Sequence, residues 1–254
     1  AQVRGLKRKI FVVPIMTPRL SSYWLYFVTS TSYRLARSLV NSMKIEVVCR
    51  NDDLNKILGI NPIDYKDALK RAFNKIEDGE IVSSWKDAYS SGGIDFNVTD
   101  FIQVPTFGCF KDTRVRLIED RTLCLDKIWR IGGTNGWYFG NWLWKTRGFI
   151  DKLFGGVGLR RGRTNPSVIN VGDPIDFWRV LYANKEEGRL LLFAEMKVPG
   201  EAWLEFKVDN DRLIQTATFR PLGLAGRLYW YAVLPFHRFI FEGMIKQLTK
   251  PEKN

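Results

Sequence analysis

A chain of 254 residues that is 45% hydrophobic and 14% aromatic can bury a sizeable core and lies far from disordered compositions. Its formal charge of +12 is uneven: residues 1–50 hold nine Lys/Arg against one acid, residues 51–100 six against ten. No dense Lys/Arg run interleaved with aromatics accompanies that charge, which argues against a nucleic-acid partner. Cys49, Cys109 and Cys124 with a lone His237 supply neither a disulfide framework nor a metal cluster.

Three reduced thiols and no secretory pattern fit a cytoplasmic protein. The chain opens at Ala1 rather than Met, so an upstream segment is expected. Residues 9–13 (KIFVV), closed by Pro14, read as a short buried strand, and Pro18 marks a further break. Ser21 and Ser22 are candidate N-caps for a helix over Tyr23–Val28. Thr31–Asn41 is a second amphipathic candidate, with Leu35, Leu39 and Val40 on one face. Glu46–Arg50 looks like a strand. Asp64–Ile76 is a helix by the spacing of Ala68, Leu69, Ala72, Phe73 and Ile76, with Asp64 as its cap.

Serines, glycines and isolated aromatics then mark a linker over residues 81–97, between a unit at 1–80 and a domain at 98–250. Beyond it Arg114–Leu117 and Leu125–Ile131 are strand-like, residues 132–136 (GGTNG) a turn, and Trp137–Phe154 a helix. Four strand candidates follow: Ile175–Ala183, Leu190–Val198, Ala202–Val208 and Arg212–Arg220. Their joins, Asn184–Gly188, Pro199-Gly200 and Asp209–Asp211, have hairpin lengths, which predicts an antiparallel meander. Leu222–Leu248 closes the chain as a long helix interrupted at Pro235. The fold class is therefore α+β, with the sheet wrapped on the terminal helix in a helix-grip arrangement that leaves a cavity between them.

The stretch VPIMTPRLSSYW (Val13–Trp24), followed by Glu46–Asp52, resembles the C-terminal part of atypical short-chain dehydrogenase/reductases of the nucleoside-diphosphate-sugar epimerase-like kind. The runs Arg130–Arg163, Val171–Val180, Ala194–Phe206 and Gly226–Met244 resemble an uncharacterised domain fused to such proteins, which looks START-like (Bet v 1-like). The resemblance implies a Rossmann-type remnant at residues 1–80 and NAD(P) bound by a missing upstream Rossmann domain. This chain has no Gly-rich fingerprint after a strand and no Tyr followed four residues later by Lys. The string Gly155-Gly156-Val157-Gly158 follows a helix pattern, so no cofactor is expected on the chain itself.

Candidate residues follow from this frame. Trp137, Trp142, Trp178, Trp203, Tyr229, Trp230 and His237 are expected to wall a cavity for a small apolar or aromatic ligand. Glu195 shares a strand face with Leu191 and Phe193. It is a cavity carboxylate in one register and an arginine-paired surface charge in the other. Arg160, Arg161 and Arg163, set among glycines, suit a phosphate or carboxylate, or else bridge to Asp151, Asp173 or Asp176. His237, with no nucleophile or second metal ligand in its segment, is expected to pack under a hydrogen bond, and no catalytic residue is assigned. The terminal helix carries too many charges to span a membrane and leaves peripheral contact through a basic face open. Three functions stay in view: a ligand-binding module, the substrate-side half of an NAD(P)-dependent reductase or epimerase-like enzyme, and a dimerisation or membrane-docking module.

Overall fold

Thr17 stands just before a helix whose first residue is proline, a first-turn position whose N–H would have no partner within the helix. The computed structural model describes Val3, Lys7 and residues 17–29, 33–48, 53–77, 102–158, 163 and 168–251. The chain divides into two units, Ala1–Ser83 and Ser84–Asn254. In the first unit, α1 (Pro18–Val28), α2 (Tyr33–Ser42), α3 (Asp53–Leu58) and α4 (Tyr65–Glu77) are the regular elements among the described residues. Helix α1 packs on α2 through a stacked Tyr23–Tyr33 pair, 4.7 Å between ring centroids, with Ala36 and Val40 buried beside it. Pro18 thus opens α1 rather than breaking the chain, and Ser22 is not a cap: its hydroxyl donates back to the Pro18 carbonyl at 2.6 Å. Asp64 does cap α4, accepting from the Lys66 N–H at 3.0 Å. Glu46–Val48 form no strand, while Cys49, Arg50 and residues 9–13 lie outside the described residues.

The second unit is α+β. It runs β1 (Phe110–Leu117), α5 (Arg121–Trp129), α6 (Asn141–Leu153), β2 (Pro174–Ile175), β3 (Trp178–Asn184), β4 (Arg189–Ala194), β5 (Gly200–Asp209), β6 (Arg212–Pro221) and α7 (Gly223–Leu248). The six strands form one antiparallel sheet in the order β1-β6-β5-β4-β3-β2, so the expected meander is present and β1 joins it beside the last strand. Strand alternation sends Leu190, Leu192, Leu204, Phe206 and Leu213 to one face, where they meet Ile128 of α5 and Met244 and Ile245 of α7. Leu191, Phe193 and Trp203 pack with Leu181 in a smaller cluster on the other face.

Several boundaries differ from the expected ones for identifiable reasons. Leu125–Ile131 is not a strand. Asp120 accepts from the Leu123 N–H at 3.0 Å and starts α5, and Cys124, Leu125, Ile128 and Trp129 are its buried side. Helix α6 begins at Asn141 rather than Trp137, because Tyr138 (φ 61°) and Gly140 (φ 63°) hold left-handed backbone. The stretch Ile175–Ala183 is two strands separated by a turn at Asp176 (φ 55°). Strand β4 stops at Ala194, short of the expected Val198. Pro235 does not interrupt α7. Both Pro235 and Tyr231, whose carbonyl loses its helical donor, are exposed, so water can take that bond.

Candidate functional site: an aromatic cavity between α6, α7 and the sheet

The strand face beneath α7 changes character along its length. Where Leu204, Phe206 and Leu213 point at the helices the space is filled, but Ala202 of β5 and Ala217 of β6 are too short to reach across. A cavity of about 280 Å³ lies there. Leu143, Trp144, Arg147 and Ile150 of α6 wall it on one side, Trp178 of β3 and Phe219 of β6 on the sheet side. Helix α7 supplies Tyr229, Trp230, Val233, Phe236, His237, Ile240 and Phe241. Trp230 is fixed by a stack of near-parallel rings, 5.9 Å from Phe219 and 5.3 Å from Phe110. The imidazole of His237 meets Trp230 edge-on at 5.5 Å and lies 5.1 Å from Phe241.

Three polar atoms of the lining residues are buried without a hydrogen-bond partner: Nε1 of Trp144, Nε1 of Trp178 and Nδ1 of His237. His237 therefore lacks the expected hydrogen bond at that nitrogen. Burial pushes its pKa down to about 4, against the opposing pull of Asp112, so the ring is neutral near pH 7. Among the described residues no group of His, Cys, Asp and Glu could hold a metal ion.

The sheet, the helices between β1 and β2, and most of α7 fall inside one match: a family model described as "Protein of unknown function (DUF2867)" covers residues 109–244. The chain belongs to the DUF2867 family. Every residue lining the cavity lies inside that stretch. No curated protein and no solved structure matches the chain.

Within this DUF2867 domain the residues singled out from the sequence separate into lining and framework. Trp178, Trp203, Tyr229, Trp230 and His237 reach the cavity, although the Trp203 ring also packs edge-on against Phe193 at 5.4 Å on the other sheet face. Trp137 does not line it: this indole is buried behind the wall, with ring centroids 5.1 Å from Trp144 and 6.1 Å from Trp178. Trp142 is 65% exposed on the outer side of α6. Glu195 is off the cavity as well. It sits just past β4 and binds Arg179, whose Nε donates to its Oε1 at 2.9 Å and whose Nη2 lies 2.8 Å away. The arginine partner of that alternative is itself buried, and it also donates to the Gly172 carbonyl at 2.7 Å.

The glycine loop after α6 is organised by a residue the sequence did not single out as a site. The buried carboxylate of Asp151 accepts from the Gly158 N–H at 2.9 Å and the Lys197 N–H at 2.7 Å, tying α6 to the segment between β4 and β5. A Cβ on Gly156 would collide with that carboxylate. These residues do not fit a dinucleotide: the loop follows a helix, and a carboxylate occupies the N–H group that would otherwise face a pyrophosphate. Arg163 donates to the carbonyls of Trp129, Ile131 and Val168 at 2.6, 3.1 and 3.2 Å, and burial lowers its pKa. That ties it into the framework; Arg160 and Arg161 lie outside the described residues. The legible signal for Asp151 was its spacing, one helical turn after Arg147, with which it forms a 3.9 Å pair.

Proposed function

We propose that the DUF2867 unit is a helix-grip domain of the START-like kind that holds an apolar or aromatic small molecule between α6, α7 and the sheet. The cavity carries this reading. Its wall is aromatic and aliphatic, Arg147 is the one charged side chain among its described lining residues, and its imidazole is neutral. The topology supports the helix-grip part, with two helices between the first and second strands, the first strand paired with the last, and a long terminal helix. Burying roughly 200 Å² of an aromatic ligand contributes on the order of 5 kcal/mol of hydrophobic transfer, set against the translational and rotational freedom the ligand loses.

The resemblance of Val13–Trp24 and Glu46–Asp52 to short-chain dehydrogenase/reductases extends the reading to a parent NAD(P)-dependent oxidoreductase, the dinucleotide being held outside this chain. No described residue here fits that cofactor, so hydride transfer is assigned to none of them. The test is native mass spectrometry with thermal shift on residues 1–254 against apolar aromatics, with NADPH as control. A one-to-one complex that raises the melting temperature is expected; a chain that binds none of them overturns the reading.

A second reading, membrane-surface docking, has its own observation. Leu224, Leu228, Tyr231 and Phe239 are exposed along one side of α7, with Arg227 and Arg238 nearby on the helix. Among the described residues no helix is long and apolar enough to cross a membrane. Co-flotation with phosphatidylserine vesicles that salt abolishes is the expected result for docking; no flotation at low salt removes it.

A further inference from the structure

We propose that the groove between the start of α1 and the end of α2 binds an organic phosphate carrying two or more negative charges, held by Arg19, Arg37 and Lys44. The site lies in the first unit and is independent of the cavity in the second. The groove has a volume of about 680 Å³. Thr17 and Arg19 reach it from the start of α1. Arg37 and Asn41, one helical turn apart, share a face of α2, and Lys44 stands just past the end of that helix. The two guanidinium groups bear on one place: the Tyr33 phenol, whose pKa is raised chiefly by the neighbouring Tyr23, is pulled the other way by both Arg37 and Arg19.

Charge sets the class of ligand. Among the described residues no carboxylate lines the groove. The ion pairs described in this unit, Lys56 with Asp53 and Lys70 with Asp67, involve none of its three cations. In the second unit, by contrast, Arg114, Arg179 and Arg189 meet Glu242, Glu195 and Glu205 at 2.6, 2.8 and 2.7 Å. Three like charges facing one space repel, and an anion among them relieves that repulsion. A single carboxylate answers only one of the three. A phosphomonoester brings about 1.5 to 2 charges and three acceptor oxygens at pH 7, and a diphosphate brings more. An arginine fork meets two such oxygens at once. The Thr17 hydroxyl, which makes no capping hydrogen bond, and the Asn41 amide add neutral donors on the same wall.

Inorganic pyrophosphate is the probe, titrated calorimetrically into the full chain at low salt, where exposed charges are least screened. Saturable one-to-one binding is expected. It should weaken at least about tenfold in an Arg19→Gln/Arg37→Gln variant, the scale of losing charge-assisted hydrogen bonds. Both residues are exposed, so the variant should fold. Lys66→Gln/Arg71→Gln removes as much charge from exposed positions of α4 and should keep the affinity within about threefold. An equal loss in the two variants would reduce the effect to net charge and overturn the proposal. So would the absence of saturable binding, or tighter binding of citrate than of pyrophosphate. Phosphatidylcholine vesicles holding phosphatidylinositol 4-phosphate then separate two sources of the same chemistry. Co-flotation that exceeds that with phosphatidylserine at equal charge, and that Arg19→Gln/Arg37→Gln abolishes, assigns the phosphate to a lipid headgroup. Pyrophosphate binding without flotation assigns it to a soluble compound. None of these outcomes bears on whether the cavity of the second unit holds a ligand.

Discussion

The indole N–H of Trp137 donates to Oδ2 of Asp176 at 2.9 Å and so joins the segment before α6 to the turn between β2 and β3. The carboxylate also accepts from the Gly133 N–H at 3.4 Å, yet its burial outweighs these donors and raises its pKa to about 6. A carboxyl group in the unfolded chain titrates near 4. The stabilising contribution of Asp176 is therefore fully present below about pH 4 and is lost as pH rises through about 6.

Asp176→Asn keeps an acceptor for Trp137, tolerates the left-handed backbone and stays neutral at every pH. Its stability relative to wild type should improve by on the order of 2 kcal/mol between pH 4 and pH 7.5 in urea unfolding. Asp126 and Glu242, whose pKa values are held down by Lys185 and Arg114, lose stability on acidification in both proteins and cancel in the comparison. Parallel pH profiles for the two proteins would show that Asp176 is not the titrating group.

Removing Glu195 should be costly out of proportion to its size. Glu195→Ala leaves Arg179 buried without its carboxylate, and a loss of about 3 kcal/mol is expected. Glu195→Gln, which can still accept the Nε bond, should lose clearly less. Chemical denaturation of the two variants separates these values, and equal losses would mean that the charge contributes nothing.

Ala217→Leu tests why the cavity exists. The added carbons enter empty space facing α7, so the unliganded chain should gain about 0.5–1 kcal/mol. Affinity for an apolar aromatic ligand should fall at the same time by about tenfold. A variant that loses stability and keeps its affinity would place the bound molecule elsewhere.

Asp120→Ala removes the cap of α5 and should cost about 1 kcal/mol. Asp120→Asn should cost little, and calorimetric melting of both variants checks the pair.

Part of this was legible in the sequence and part was not, for reasons that differ from residue to residue. The joins at Asn184–Gly188 and Asp209–Asp211 mark the hairpins because turn residues punctuate strongly, and β3 through β6 follow from them. Helix α5 is not legible by period because nine residues with Cys124, Leu125, Ile128 and Trp129 are too few to separate helix from buried strand; Asp120, three positions before Leu123, is the signal that favours a helix. Trp178 and Trp137 look alike as residue types, and only the fold shows that one lines a cavity while the other backs it. Glu195 depended on register: Leu191 and Phe193, whose face it shares, turn to the smaller cluster rather than to α7. The alanines that open the cavity carry no sequence signal, since a small residue on a strand reads equally well as tight packing.

The pairing of β1 with β6 also governs when the domain can form. Phe110 and its partner Phe219 are separated by more than 100 positions, and among the described residues β1 has no other neighbour in the sheet. On the ribosome β1 emerges long before the strand it needs, and the hydrogen-bonding edge of β5 stays open until β6 follows. Closing so long a loop is slow, and the nascent chain must wait through it with an unpaired strand that a neighbouring polysome product could capture. The cavity needs Phe219 and α7 together, so it cannot form before both have been made.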